Sequence, residues 1–270
     1  MNVAEALQYW GEADSYERQE SLWLLEHLLG CSVLELKFKT KQSLTAEQEC
    51  LFLDGLNRLK NNEPLAYITG SQPFWTLDLK VTTDTLVPRP DTEILVETVL
   101  GLPLGDISML DLGTGTGAIA LALASERPNW QVLATDIYEP TLQVAQFNAQ
   151  KHGLTQVMFA CSAWFSQLDA QKFDLIVSNP PYIDPIDDHL SHLVTEPQRA
   201  LTSDDNGLAD IKEIITQSPN WLKSQGWLVL EHGYDQGLQV QALLTKVGFS
   251  KVKTIQDYGK NDRVTLGQLN

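Results

Sequence analysis

Between residues 107 and 266 the sequence alternates short apolar runs with helical stretches, and this alternation limits the possible folds more than any other feature. Strands that alternate with helices form a parallel sheet whose two faces are covered by helices. We therefore predict an α/β fold that ends in an antiparallel pair of strands. The runs that we interpret as strands are residues 109–110, 132–134, 157–159, 175–177, 227–230, 252–255 and 264–266.

The first seventy residues carry a different pattern, which is typical of short amphipathic helices. Asn2 and Thr45 can each begin a helix, because Glu5 and Gln48 stand three residues later and complete a capping box. A further apolar helical run ends at Gly30, a residue type that commonly ends helices. This pattern predicts a small helical bundle ahead of the α/β domain.

The segment between these two regions is predicted to form a β-hairpin. Apolar residues alternate over residues 75–81, which is the period of a half-buried strand, and residues 82–84 (TTD) supply a polar turn. We therefore divide the chain into a helical bundle (1–72), a hairpin linker (73–90) and a C-terminal domain (91–270).

The sequence DLGTGTG at residues 111–117 follows the first strand of the alternation and opens a helix. Its spacing is G-x-G-x-G rather than the G-x-G-x-x-G of pyrophosphate-binding turns, which favours a nucleoside that carries a carboxylate and a positive centre. Asp111, just before the glycines, suits the ammonium end of S-adenosylmethionine or its bound water. Asp136 ends the next strand, where a carboxylate can accept hydrogen bonds from ribose hydroxyls. A purely structural turn is the alternative. The candidate cofactor residues are Asp111, Gly113, Thr114, Gly115, Thr116, Gly117, Asp136 and Trp164.

Trp164 follows the third strand and has two possible roles. A large flat ring at this position can stack on an adenine, and it can equally be part of the core.

Asn179-Pro180-Pro181-Tyr182 follows the fourth strand, at the sheet edge where open α/β folds bind ligands. The Asn179 side-chain oxygen and the Pro180 carbonyl can each accept one N–H of a planar NH2 group, which turns the nitrogen lone pair toward a methyl donor. The two prolines stiffen the carbonyl direction, and Tyr182 can stack on a flat amide or base. We predict that these four residues form the catalytic site, with no strong general base.

Other polar residues are expected to be structural. Glu231 and His232 are interpreted as a satisfied structural pair, and Glu196 and Arg199 as braces of the long loop after Tyr182.

No metal site is predicted. His189 and His192 lie three residues apart in a polar segment without a matching cluster of ligands, so we interpret both as surface residues. Cys31, Cys50 and Cys161 are widely spaced and odd in number, which argues against disulfides and fits a reducing cytoplasm.

The formal net charge of -16 bears on the partners of the chain. Such a surface repels phosphate backbones, so no stable nucleic-acid partner is expected. No uninterrupted apolar stretch is long enough to span a bilayer, and no targeting segment is visible. We expect a cytoplasmic monomer without a membrane partner.

These motifs resemble those of the HemK/PrmC family, the protein-(glutamine-N5) methyltransferases of class I peptide chain release factors. The resemblance covers essentially the whole chain. NPPY is shared with adenine-N6 and other amino-methyltransferases, whereas the segments PLAYITG and VPRPDTE are much more specific to this family. The shared segments are residues 64–70 (PLAYITG), 87–93 (VPRPDTE), 111–117 (DLGTGTG), 179–183 (NPPYI) and 263–266 (RVTL).

The resemblance implies a class I, Rossmann-like methyltransferase domain that uses S-adenosyl-L-methionine. By position it assigns the cofactor contacts to residues 113–117, Asp136, Trp164 and Asn179, and the substrate glutamine to residues 179–182. It also implies that this glutamine belongs to the GGQ motif of class I release factors, and that the helical N-terminal domain helps to engage that protein substrate.

The chain departs from the family at residues 202–208 (TSDDNGL), where many members carry more glycine, so the conformation of this loop remains open.

Two other functional hypotheses also remain open at this point. An adenine-N6 methyltransferase for DNA or RNA would use the same NPPY geometry on an extruded base, and salt-dependent nucleic-acid binding would identify it. A non-catalytic cofactor-binding or ribosome-associated protein would be unaffected by Asn179→Ala.

Overall fold

A computed structural model describes the backbone of all 270 residues and every side chain except that of His192. The prediction that His192 is a surface residue therefore lies outside the described residues. The chain forms two compact units, Met1–Gly70 and Ser71–Asn270. In the part of the chain that is described, no helix is both long and apolar enough to cross a membrane.

The first unit is a helical bundle. Both predicted capping boxes are present, since the Asn2 and Thr45 side chains accept from the N–H groups of Glu5 and Gln48, and α2 ends at Gly30 with a φ of 58°. A third capping box on Ser32, which starts α3, was not predicted. The helices are α1 (Val3–Leu7), α2 (Tyr16–Leu29), α3 (Val33–Phe38), α4 (Ala46–Lys60) and α5 (Leu65–Thr69).

The second unit begins with a hairpin that lies earlier in the chain than the alternation predicted. Strands β1 (Ser71–Phe74) and β2 (Leu77–Lys80) pair antiparallel, and Trp75 in the turn has a φ of 56°. The prediction that residues 82–84 form the hairpin turn is wrong, because this segment closes a separate turn through a backbone hydrogen bond of 3.0 Å. Pro73 interrupts the apolar pattern of β1 and conceals that strand in the sequence.

A seven-stranded sheet forms the centre of the second unit, with the order β5-β4-β3-β6-β7-β9-β8. The first five strands in this order run parallel to one another. The sixth strand, β9, runs antiparallel to both of its neighbours, so the closing pair of strands is antiparallel, as predicted. The strands are β3 (Ser108–Leu112), β4 (Gln131–Asp136), β5 (Val157–Cys161), β6 (Phe173–Ser178), β7 (Leu222–Glu231), β8 (Phe249–Gln256) and β9 (Asp262–Leu269).

Helices cover both faces of this sheet, so the predicted α/β fold of the Rossmann-like type is confirmed. Two separate apolar cores lie on its opposite faces, one around Leu95, Leu121 and Val177 and the other around Ile176 and Ile214. The helices are α6 (Glu93–Leu100), α7 (Ala118–Glu126), α8 (Glu139–Lys151), the short α9 (Asp204–Gly207), α10 (Ala209–Gln217) and α11 (Gly237–Val247).

Candidate active site

A cavity of about 340 Å³ lies at the carboxyl ends of β3, β4 and β6, within the second unit. Most of the residues predicted from the sequence line it, namely Gly113, Thr114, Gly115, Thr116, Asp136, Trp164, Asn179 and Pro181. The structure separates four others from this group: Asp111 and Gly117 line neither cavity, while Pro180 and Tyr182 line an adjacent cavity of about 290 Å³.

The glycine turn after β3 needs glycine at two positions for different reasons. Gly113 has a φ of 70°, and a Cβ there would lie 3.3 Å from the Trp164 ring. Gly117 has a φ of 85°, and a Cβ there would lie 2.9 Å from the Leu121 side chain. The first glycine therefore lets an aromatic ring lie against the turn, and the second lets α7 begin close to it.

Asp136, the last residue of β4, is bonded to this turn. Its Oδ2 accepts from the Gly115 N–H at 3.1 Å and its Oδ1 accepts from the Tyr138 N–H at 3.0 Å. Burial raises the pKa of the Asp136 carboxyl above its ordinary value. Each oxygen retains a second lone pair, so this carboxylate can also accept from a pair of ligand hydroxyls such as those of ribose.

Trp164 lines the same cavity as Asp136. Its backbone has a φ of 48°, and its indole Nε1 donates to Asp210 Oδ1 at 3.2 Å. The ring is half-buried and is part of the cavity lining. A flat ring fixed at both ends in this way can stack on a planar base.

Asp111 lies beneath the turn and is fully buried. Its Oδ2 accepts from the Thr114 hydroxyl at 2.6 Å, and its Oδ1 has no hydrogen bond of normal geometry to any described residue. Burial raises the pKa of the Asp111 carboxyl to about 7, and the nearby negative charge of Asp136 contributes to the rise. A positively charged ligand would relieve this accumulation of negative charge.

Asn179 directly follows β6 and lines both cavities. Its Nδ2 donates to the Thr92 hydroxyl at 3.2 Å, which leaves Oδ1 available to accept from a ligand. Pro180 and Tyr182 continue the wall of the second cavity, together with Arg89 and Leu201. An acceptor thus stands where the two cavities meet.

The Tyr182 hydroxyl donates a hydrogen bond to Oε1 of the buried Glu231, with 3.2 Å between the two oxygens. Burial raises the pKa of the Tyr182 phenol above its ordinary value. Burial also raises the pKa of the Glu231 carboxyl to about 7, although the Arg263 guanidinium opposes the rise.

Glu231 and His232 do not form the satisfied pair that the sequence predicted. His232 is satisfied, since its ring nitrogens lie 2.7 Å from Thr265 Oγ1 and 2.8 Å from the Gly233 carbonyl. Glu231 is bonded to Tyr182 instead, and its Oε2 has no hydrogen bond of normal geometry to any described residue.

Glu196 and Arg199 brace the long loop, as predicted. Glu196 Oε2 accepts from the Val87 N–H at 3.2 Å, and its Oε1 forms an ion pair with Arg89. Arg199 donates to the Asp84 carbonyl at 2.7 Å. These contacts hold the loop against the segment that precedes α6.

The segment before α6 was missed as part of the site. It forms one wall of the larger cavity, although the sequence analysis used its VPRPDTE motif only for the resemblance. The lining residues from this segment are Asp84, Thr85, Leu86, Pro88, Arg89 and Thr92.

Within the described residues, no group of three or more His, Cys, Asp or Glu side chains is arranged to hold a metal. His189 is exposed, as predicted, and its Nδ1 lies 2.7 Å from Asp187. Cys31, Cys50 and Cys161 are free thiols.

The residues present fit a nucleoside with a positively charged tail. The volume of the larger cavity falls in the range of about 300 to 1,000 Å³ that is usual for small-molecule sites. A flat ring, an acceptor for paired hydroxyls and a buried acid with an unpartnered oxygen surround the same glycine turn. The arrangement can hold such a ligand beside the Asn179 acceptor.

Comparison with known proteins places the chain in a family. Residues 105–261 match the family model described as "Methyltransferase domain", and residues 3–70 match the one described as "PrmC N-terminal domain". The 16S rRNA N2 G1207 methyltransferase of T. thermophilus, solved in complex with AdoMet and guanosine, shares the fold. Its TM-score is 0.54 at 17% identity, with 74% of this chain and 50% of that chain covered.

Curated relatives extend over nearly the entire chain. The release factor glutamine methyltransferase of Salmonella typhimurium is 45% identical over 268 residues, which cover 98% of this chain and 96% of the relative. The protein of the same name from Escherichia coli (strain K12) is 47% identical over 261 residues, which cover 95% and 94%. The chain belongs to the family of release factor glutamine methyltransferases.

Proposed function

We propose that this chain methylates the side-chain nitrogen (N5) of the glutamine in the GGQ motif of class I peptide chain release factors. The observation that carries the proposal is the position of Asn179, an amide acceptor at the junction of two cavities. The first cavity fits a cofactor, and the second offers a path for an extended side chain. Membership of the family supports the choice of glutamine over other planar NH2 groups.

The methyl donor is S-adenosyl-L-methionine, which supplies an electrophilic methyl group on a sulfonium when it is bound. We propose that Asp136 accepts the ribose hydroxyls, that Trp164 stacks on the adenine, and that Gly113 and Gly115 give the ligand access to the turn. Asp111 does not line the cavity, so we propose that it acts on the ammonium group through the turn or through a bound water.

Orientation supplies most of the catalysis in this proposal. A glutamine amide nitrogen is a weak nucleophile because its lone pair is delocalised into the carbonyl. Asn179 Oδ1 and the Pro180 carbonyl each accept one of its N–H groups, which directs the nitrogen toward the methyl group. A bound cofactor would supply the methyl group, with its C–S bond breaking and the electron pair remaining on sulfur as the C–N bond forms, and the methylated nitrogen would then lose one proton to a carbonyl or to water.

We further propose that the substrate is a protein rather than a nucleic acid, and that the chain acts as a cytoplasmic monomer without a membrane partner. The net charge of -16 disfavours binding to a phosphate backbone. The adenine-N6 alternative is accordingly not favoured.

The helical N-terminal domain, residues 1–72, is proposed to dock the release factor, with residues 73–90 as a linker and residues 91–270 as the methyltransferase domain. Leu34 and Phe38 lie one turn apart on α3, and they expose 64% and 83% of their surface. Two exposed apolar side chains on neighbouring turns of one helix can form a patch that a protein partner covers.

The docking proposal predicts that Phe38→Ser raises the KM for intact release factor about tenfold and leaves kcat unchanged. A matched control is Leu238→Ser on α11, where the wild-type side chain is 79% exposed. Steady-state kinetics of both variants and the wild type measure KM and kcat, first on intact release factor and then on a short GGQ peptide. An equal KM for Phe38→Ser and wild type on the intact protein would remove α3 from the docking surface.

The function itself is tested by incubating the chain with methyl-labelled cofactor and purified release factor. We expect label on the GGQ glutamine, located by mass spectrometry of the digested product. A release factor with glutamate in place of that glutamine is the control and should remain unlabelled. Label elsewhere, or label on nucleic acid instead, would contradict the proposal.

A further inference from the structure

Among the described residues, the side-chain amide of Asn179 forms one hydrogen bond, in which Nδ2 donates to the Thr92 hydroxyl at 3.2 Å. An amide has a donor end and an acceptor end, and only the acceptor end can receive a substrate N–H. A hydroxyl can donate or accept, so Thr92 alone could hold the amide in either orientation. A second group must therefore set the direction of this hydrogen bond.

Glu231 is the group behind Thr92. It ends β7, is 1% exposed, and its Oε1 accepts a hydrogen bond from the Tyr182 phenol at 3.2 Å. Its Oε2 is buried without a hydrogen bond of normal geometry to any described residue, and the Thr92 hydroxyl is close enough to favour the ionised form of this carboxyl. An ionised carboxylate only accepts. When the Thr92 hydroxyl donates a hydrogen bond to Glu231 Oε2, the Thr92 oxygen can only accept from the amide, so Asn179 must present Nδ2 to Thr92 and Oδ1 to the substrate.

We propose that Thr92 and Glu231 are positioning residues that orient Asn179 through a one-way chain of hydrogen bonds, from Asn179 Nδ2 to Thr92 and from the Thr92 hydroxyl to Glu231. The inference rests on the proposed role of Asn179 as the acceptor for the substrate amide. Glu231 acts through Thr92 and Asn179 and contacts none of the reacting atoms.

The charged groups around Glu231 make this chain sensitive to pH. Arg263 favours the ionised carboxylate, whereas Asp91 and burial favour the neutral acid, and the Tyr182 phenol faces the same carboxyl. Burial raises the pKa of Glu231 to about 7. A protonated Glu231 can donate to Thr92, which frees the Thr92 hydroxyl to donate to Asn179 Oδ1 and turns the amide nitrogen toward the substrate. Two donors would then face each other, so kcat should fall below this pH.

Thr92 variants separate this role from simple packing. Thr92→Val keeps the shape and removes the hydroxyl, and we expect kcat to fall about tenfold, which is the effect of one positioned hydrogen bond. Thr92→Ser restores the hydroxyl and should recover most of the activity. Thr92 lines the larger cavity, but the proposed ribose, adenine and ammonium contacts are made by other residues. Calorimetry should therefore give cofactor Kd values for Thr92→Val and Thr92→Ser that agree with each other within about twofold.

Glu231→Gln provides a second measurement, because its amide nitrogen can donate to Thr92 and no longer titrates. The wild-type kcat, measured at saturating cofactor, should rise with pH through about 7, and this rise should be lost in Glu231→Gln. Melting curves check that each variant is folded, and the pH profile decides the question if Thr92→Val does not fold.

The two possible failures have different results. If the wild type does not label release factor, the proposed function is wrong. If the wild type labels it and Asn179→Ala does not, the role of Asn179 stands. The positioning role alone is then contradicted by equal kcat values for Thr92→Val and Thr92→Ser, or by a pH-dependent rise that persists in Glu231→Gln.

Discussion

Two buried carboxyls, Asp111 and Glu231, are held in different ways. Asp111 belongs to the proposed cofactor half of the site, which is the glycine turn with Asp136 and Trp164, and Glu231 lies behind the proposed substrate half, residues 179–182. Asp111 is bonded to the hydroxyl of Thr114, three residues away in the same turn, and its charged neighbour is the negative Asp136. Glu231 is bonded to Tyr182, 49 residues away, and its charged neighbours are the positive Arg263 and, with a smaller effect, the negative Asp91.

This difference separates two functions of a buried acid. The charged group that acts on Asp111 is the negative Asp136, and Arg199 faces Asp136, so a ligand cation near Asp111 would stabilise its ionised form. Arg263 already lies near Glu231, so no ligand charge is required to stabilise the ionised form of this carboxyl. Glu231 can instead fix the direction of hydrogen bonds. We therefore expect changes in the cofactor half to alter the cofactor Kd, and changes in the substrate half to alter kcat.

The largest effect is expected for Asn179→Ala in the substrate half. Loss of one positioned acceptor should lower kcat by about 100-fold or more, while the cofactor Kd changes much less. Single-turnover methylation of release factor, combined with calorimetry of cofactor binding, measures the two quantities. Retained turnover would contradict the role of Asn179, and an equal loss of cofactor affinity would mean that the two halves are not separable.

Asp136→Ala should show the opposite pattern, with an effect on binding of about tenfold to 100-fold. This change removes the acceptor for two hydroxyls, and hydrogen bonds to charged groups contribute about 1.5 to 3 kcal/mol. Calorimetry should show the larger Kd, and kcat at saturating cofactor should remain within a few-fold of wild type. Asp169→Ala, an exposed aspartate, is a suitable control.

Asp111→Asn should weaken cofactor binding by about tenfold, because it removes a negative charge and keeps the side-chain shape. Glu231→Gln is the matched change in the other half, and it should leave the cofactor Kd within about twofold of wild type. Equal effects of the two substitutions on Kd would remove the distinction between the two carboxyls.

The smallest effect expected is a release of protons when the cofactor binds. Burial raises the pKa of Asp111 to about 7, so this carboxyl is partly protonated near neutral pH, and an arriving cation favours its ionised form. Binding should therefore release a fraction of a proton at pH 7, and the affinity should fall as the pH is lowered below 7.

Calorimetry in two buffers of different ionisation enthalpy measures this proton release. Glu231→Gln should preserve it, and Asp111→Asn should abolish it. Proton release that persists in Asp111→Asn would assign the titration to another group, such as Asp136, whose pKa is also raised.

Local sequence determines the features that could be predicted. The capping boxes at Asn2 and Thr45 join residues three apart, and the glycine turn lies within one short segment. The alternation of strands and helices likewise depends on neighbours in the chain. The sheet and the residues at its carboxyl edge therefore followed from the sequence alone.

Features that depend on distant residues were missed or misjudged. Thr92 and Asn179 stand 87 residues apart, so the sequence gives no indication that their side chains meet. Glu231 was paired with its neighbour His232, although Glu231 is bonded to Tyr182 and His232 to Thr265. The hairpin turn was misplaced because it depends on the positive φ of Trp75, an uncommon conformation for such a residue.

A structure of the chain with S-adenosylhomocysteine and a release-factor fragment that carries the GGQ glutamine tests the central claim most directly. We predict that Asn179 Oδ1 and the Pro180 carbonyl each lie about 2.9 Å from the glutamine amide nitrogen, with Asn179 Nδ2 still bonded to Thr92. A glutamine bound away from the cofactor sulfur, or an Asn179 side chain turned away from it, would contradict this account.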